Sequence, residues 1–196
     1  MHGAGSADRA ARQAARRERR AAVTDPDIVM ASAAALLAAR PWTVADMRRR
    51  LAALGYTTAL VEVTAARLVE LGYLDDERYA AAWVASRDRS RPRGSAALRG
   101  ELRRKGIEPA VIEGALAARD GAPDEADGSD RPGRGWSADL AAAVSLLERR
   151  GAALAREPDP RKRRQKAYAL LARNGFDPEV CARAIGASLE GWGGAV

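Results

Sequence analysis

Reactive side chains are scarce in this chain of 196 residues: Cys181 is its one cysteine and His2 its one histidine. That excludes an intramolecular disulfide, a histidine-based catalytic triad and the usual zinc sites. No glycine-rich phosphate loop occurs, so an enzyme would have to rely on carboxylates and arginines alone. No catalytic residue, metal or cofactor is assigned, and the chain is not expected to be an enzyme. Aromatics make up only 5% of it. Strictly alternating Val/Ile runs are missing, which argues against sheet. The apolar runs are too short to span a bilayer. The N-terminus has no apolar signal core, so a cytoplasmic location without membrane contact is expected.

What is present is alanine, leucine, arginine and glutamate, the residues with the best helix propensities. Lys+Arg number 33 against 26 Asp+Glu, for a formal net charge of +7, and lysine occurs only at 105, 162 and 166. Base composition alone would account for arginine over lysine. The excess of charge still points to a polyanionic or acidic partner. Cys181 falls in the apolar pattern EVCARAI and reads as a small core residue.

Four glycines punctuate the chain. Gly55, Gly72, Gly106 and Gly175 each have an apolar residue four positions before and one after: Leu51/Tyr56, Leu68/Tyr73, Leu102/Ile107 and Leu171/Phe176. This is the pattern of a helix ended by a left-handed glycine, with the next residue folding back on the last turn. Eight positions before three of them stand Met47, Leu98 and Ala167, completing one apolar stripe per helix. Arg40-Pro41 and Arg91-Pro92 lie 51 apart (91 − 40), as Gly55 and Gly106 do (106 − 55). IEPAVIEGAL and FDPEVCARAI are near-duplicates. The chain is an internal repeat.

The acidic triplet Asp75-Asp76-Glu77, placed just after Gly72-Tyr73, has a local explanation. Asp75 caps a new helix and the other two occupy its first turn, where free N–H groups favour carboxylates. Leu74 and Tyr79 are spaced as a staple around that cap. This accounts for the triplet without a dedicated metal or partner site.

The spacing predicts an all-α fold of three tandem three-helix repeats in an elongated, curved array. Helices are expected at 27–40, 43–54 and 58–71, at 75–90, 95–105 and 109–119, and at 138–151, 160–174 and 178–189. The repeats then occupy 25–73, 74–119 and 137–190. Residues 1–24 read as a flexible basic tail with some helix in it, 120–136 as a flexible acidic linker, and 191–196 as a C-terminal tail.

The second helix of each repeat carries the basic load: Arg48, Arg49 and Arg50; Arg99, Arg103, Arg104 and Lys105; Arg161, Lys162, Arg163, Arg164 and Lys166. Either these are solvated faces or they form a shared surface that tracks phosphates without reading sequence. The third helices are nearly neutral or acidic and poor in the Arg, Asn and Gln with which a helix-turn-helix reader contacts base edges, so sequence-specific duplex recognition is disfavoured. Aromatics able to stack on bases are few, with Trp42, Trp83, Trp136 and Trp192 thinly spread and Trp83 expected in the core.

The stretch LVELGYLDDERYAAAWVASRDRSRPRGSAALRGELRRKGI resembles the signature segment of the RecX family, bacterial regulatory proteins that modulate the RecA recombinase. The signature pattern is met by Gly72, Tyr73, Leu74, Asp75, Asp76, Tyr79 and Ala80. The helix that follows it in the family is matched by Gly94, Leu98, Glu101, Leu102, Lys105 and Gly106. RRQKAYALLARNGFDPEVCARAI resembles the family's C-terminal segment. The resemblance implies tandem three-helix repeats, no enzymatic activity, and binding to the RecA–DNA filament with inhibition of RecA, hence regulation of recombination, DNA repair and the SOS response. The basic second helices are then the candidate contacts to RecA and to single- or double-stranded DNA, without sequence specificity, by a protein expected to be monomeric. The alternative is a non-specific DNA-binding repeat protein that makes no contact with RecA.

Overall fold

A computed structural model describes residues 4–121 and 137–192. Among them are ten helices and no strand. After α1 (Ala4–Ala21) come three triplets: α2 (Pro26–Ala39), α3 (Val44–Leu54) and α4 (Thr58–Glu70); α5 (Asp76–Ser90), α6 (Ser95–Arg104) and α7 (Pro109–Gly121); α8 (Ala138–Ala155), α9 (Pro160–Arg173) and α10 (Pro178–Trp192). Most of the acidic linker expected at 120–136, and residues 193–196 of the C-terminal tail, lie outside the described residues. The rest forms two compact units. One comprises the described residues up to Tyr79 with Lys105–Ile107; the other comprises Ala80–Arg104 with the described residues from Glu108 on.

Local chemistry starts and stops these helices. Asp25 accepts a hydrogen bond from Asp27 N at 2.9 Å ahead of α2, and Asp159 one from Arg161 N at 2.8 Å ahead of α9. Asp75 caps α5 by accepting from Arg78 N at 2.8 Å. Gly55, Gly72, Gly106 and Gly175 all have positive φ, between 73° and 108°. α8 runs four residues past its expected end at Gly151, because Ala152, Ala153 and Leu154 continue it and Leu154 packs into the core.

In the first unit Val29 and Ala33 of α2 meet Met47, Leu51, Tyr56, Val61, Leu68 and Leu74 in one buried cluster. In the second unit α8, α9 and α10 enclose Leu140, Leu147, Ala167, Leu171, Phe176, Cys181 and Ile185. Cys181 is a core residue with no exposure, and burial pushes its thiol pKa up. Ala80, Val84, Leu98, Leu102, Ile112 and Leu116 supply the buried faces of α5, α6 and α7.

Two expectations need correction. Tyr73 does not fold back onto Leu68: its ring is 63% exposed, while Leu74 is 1% exposed and joins the core. Its backbone still closes the turn, with Tyr73 N donating to Leu68 O at 2.9 Å. At the other three glycines the following residue (Tyr56, Ile107 or Phe176) is buried. Those glycines end second helices, whereas Gly72 ends a third helix, and a Cβ there would meet nothing within 4 Å.

The other concerns residues 4–21, expected as part of a flexible tail. They form α1, and α1 is docked. Arg20 donates to Leu54 O at 3.4 Å and its guanidinium lies 5.7 Å from the Tyr56 ring centroid. A Cβ on Gly55 would fall 2.8 Å from the Cα of Arg17. Alanine and arginine favour helix throughout this stretch, and an Arg12–Asp8 pair one turn apart supports it.

Candidate interaction surface

The signature residues build helix junctions. In the first unit Asp76 reaches from the first turn of α5 to accept a hydrogen bond from Val44 N, the first residue of α3, at 3.0 Å. Thr43 completes that terminus: its hydroxyl accepts from Asp46 N at 3.1 Å and donates to Lys105 O at 2.8 Å. Gly106 closes over Ala45, so tightly that a Cβ would fall 2.4 Å from the alanine methyl.

The second unit repeats the device with different side chains. Asp139, in the first turn of α8, accepts from Ser95 N at 3.0 Å and from the Ser95 hydroxyl at 3.0 Å, at the start of α6. Gly94 N donates to Asn174 O at 3.0 Å, and a Cβ on Gly94 would fall 2.1 Å from Gly175 O. A Cβ on Gly175 would lie 2.5 Å from that of Ala97. Gly94 and Gly106 are thus fixed by close backbone approach, and Leu98 and Leu102 by burial.

Two polar clusters that sequence reasoning missed hold the second unit together. Arg119 of α7 is 6% exposed and pairs with Asp88 at 2.8 Å and Asp139 at 2.5 Å. Burial works against its charge, but the two carboxylates outweigh that and its pKa is raised. Glu101 of α6 accepts from Trp83 Nε1 at 2.8 Å and Arg87 Nε at 2.7 Å, with Arg93 at 3.7 Å from its other oxygen. Burial raises the Glu101 pKa, yet these donors win and it is lowered. Trp83 is therefore half-buried against a charge cluster, with Arg87 4.3 Å above its ring, instead of lying in an apolar core. Tyr79 is half-buried and Ala80 fully buried on the same helix.

The basic clusters divide into paired and free cations. Arg48 pairs with Glu62 at 2.8 Å, and Arg99 binds both oxygens of Glu113 at 2.7 and 2.9 Å. These pairs are equivalent, since both members are displaced by 51 (99 − 48 and 113 − 62). Arg49 pairs with Asp46, and Lys105 reaches Asp46 at 3.4 Å. Lys166 pairs with Glu157 at 2.5 Å, and Arg163 donates to Glu157 O at 2.9 Å. Arg50, Arg103, Arg104, Arg161, Lys162 and Arg164 are exposed and in no ion pair among the described residues. Each second helix thus presents one or more free cations. The missed pairs had a signal: an Arg seven residues before a repeat glycine and a Glu seven after it. The tryptophans offer little to a base. Trp42 donates to Leu36 O at 2.9 Å beneath the Arg40 guanidinium, Trp83 is engaged as above, and the side chains of Trp136 and Trp192 lie outside the described residues.

Comparison with known proteins agrees with this repeat architecture. Residues 75–116 match the family model described as RecX, second three-helix domain, and residues 137–185 match RecX, third three-helix domain. The Regulatory protein RecX of Deinococcus radiodurans is 35% identical over 159 residues, spanning 81% of this chain and 67% of that protein. That of Mycobacterium ulcerans is 32% identical over 154 residues, or 79% and 80%. The chain spans about half the length of other curated relatives it matches, such as that of Mycolicibacterium vanbaalenii, at 42% identity over 43% of this chain and 46% of the relative. The crystal structure of RecX from Lactobacillus salivarius superposes with a TM-score of 0.66 at 18% identity, covering 82% of this chain and 94% of that one. Among the described residues no helix is long and apolar enough to cross a membrane. With the repeat junctions and these relatives in agreement, this chain belongs to the RecX family of regulatory proteins.

Proposed function

We propose that this chain modulates RecA, chiefly as an inhibitor, by binding the RecA–DNA filament in the cytoplasm, and so regulates recombination, DNA repair and the SOS response. The observation that carries this reading is the set of exposed, unpaired cations on every second helix, in a chain related to regulatory RecX proteins over most of its length. Such cations suit DNA phosphates and acidic protein patches, both of which a nucleoprotein filament supplies. The protein acts by binding, without a cofactor and as a monomer. Titrating it into RecA hydrolysing ATP on single-stranded DNA should lower the rate. An unchanged rate at several-fold molar excess of folded protein overturns the proposal. A non-specific DNA binder that makes no contact with RecA would lose its effect on RecA at the salt concentration that strips it from naked DNA; a filament ligand would keep it.

A further inference from the structure

The equivalent Arg–Glu pairs of the first two repeats have no counterpart in the third. Seven residues before Gly175, where Arg48 and Arg99 stand relative to their glycines, is Tyr168; seven after it, where Glu62 and Glu113 stand, is Ala182. Both halves of the pair are replaced together. At this position lies a hollow between α9 and α10, lined by Arg164, Gln165, Tyr168, Ala182 and Ile185. Tyr168 is 42% exposed at this hollow.

The surroundings of the ring set the chemistry of the occupant. Arg161, Arg164 and Tyr168 follow one another at helical spacing, so they share one face of α9 over about 10 Å of its length. Both arginines are exposed and in no ion pair among the described residues. An aromatic face beside free guanidinium groups is the minimal equipment for a single nucleic-acid strand: bases stack on the ring and phosphates meet the cations. A duplex keeps its bases stacked on each other and offers the ring nothing.

We infer that the α9–α10 hollow is a single-strand subsite, in which Tyr168 stacks on a nucleobase and Arg161 and Arg164 hold the flanking phosphates. The first two repeats, with an ion pair and no ring at this position, contact phosphates only. The subsite deepens the filament-binding reading, but its test contains no RecA, so each can fail alone.

The full chain is titrated with fluorescein-labelled oligo(dT) and with a duplex of equal length, by anisotropy. Tyr168→Ala should weaken oligo(dT) binding about tenfold and leave duplex binding within about twofold. Tyr168→Phe should bind like the native protein, whereas Tyr168→Leu, which keeps apolar area without a ring, should behave like the alanine variant. Arg164→Ala should flatten the salt dependence by about one phosphate contact, and Tyr168→Ala should not. Equal losses on both nucleic acids, no loss on oligo(dT), or full affinity in Tyr168→Leu each overturn the subsite. So does a result in which Tyr168→Ala abolishes binding of an acidic peptide and spares oligo(dT).

Discussion

Asp76 lies 32 residues from Val44 in sequence, yet its carboxylate accepts the Val44 N–H at 3.0 Å and so caps a helix of the preceding repeat. Burial raises its pKa despite this bond and the nearby Arg48. The folded protein therefore binds a proton at Asp76 more readily than the unfolded chain does. Its contribution favours folding at low pH and declines as pH rises above the usual aspartate value of about 3.9.

Asp76→Asn keeps an acceptor for Val44 without burying a charge. It should melt no lower than the native protein at neutral pH, while Asp76→Ala should lose about 1 kcal/mol. Thermal melts of the two variants side by side check this; an Asp76→Ala variant that melts with the native protein would mean that the cap is immaterial. Asp139→Ala should cost more, about 3 kcal/mol, since it also removes one of the two carboxylates that neutralise buried Arg119.

The repeat glycines separate two effects. Gly72→Ala meets only the left-handed backbone, an expected loss of about 1–2 kcal/mol. Gly106→Ala and Gly175→Ala add a collision with Ala45 or Ala97 and should lose at least twice as much. Denaturant unfolding of the three variants should rank them in that order. A Gly106 variant as stable as the Gly72 variant would contradict the close approach.

Glu101 should show in acid. Its lowered pKa means that its stabilisation is complete above the usual glutamate value of about 4.3 and is lost as pH falls through the lower, folded value. Glu101→Gln should be less stable by about 2 kcal/mol at neutral pH and should flatten the acid limb of the stability curve. Parallel curves for the native and variant proteins would show that Arg87 and Trp83 do not depend on that charge.

Charge reversal should sort the cations. Arg50→Glu with Arg103→Glu and Arg104→Glu should weaken filament or DNA binding with helicity intact, since none of these is in an ion pair among the described residues. Arg48→Glu and Arg99→Glu should instead lower the melting temperature, because each places like charges together at Glu62 or Glu113. Unchanged binding in the first set would make those arginines a solvated face.

Helix ends were legible in the sequence because their causes lie within a few residues: a cap such as Asp75, a proline at the first helical position, a left-handed glycine. What Asp76 caps was not legible, since its recipient is set by packing between segments distant in sequence. The same holds for Tyr73 and Leu74, two adjacent apolar residues of which only the folded chain decides which enters the core. Among the cations, the second helices stood out at once. Their division into paired and free needed the partner carboxylates on the following helix, although the spacing of Arg48/Glu62 and Arg99/Glu113 carried that information unread.

The placement of α1 bears on how the first repeat is closed. Gly106 and Gly175 each nestle against the start of an earlier second helix, and Gly55, first of the series, has no such neighbour to find. Arg17 of α1 fills that role, and Arg12, Arg16 and Arg19 of the same helix are exposed. Repeat proteins need a polar lid on an exposed terminal module. Here an arginine-studded helix of unrelated sequence takes that place on the first three-helix repeat.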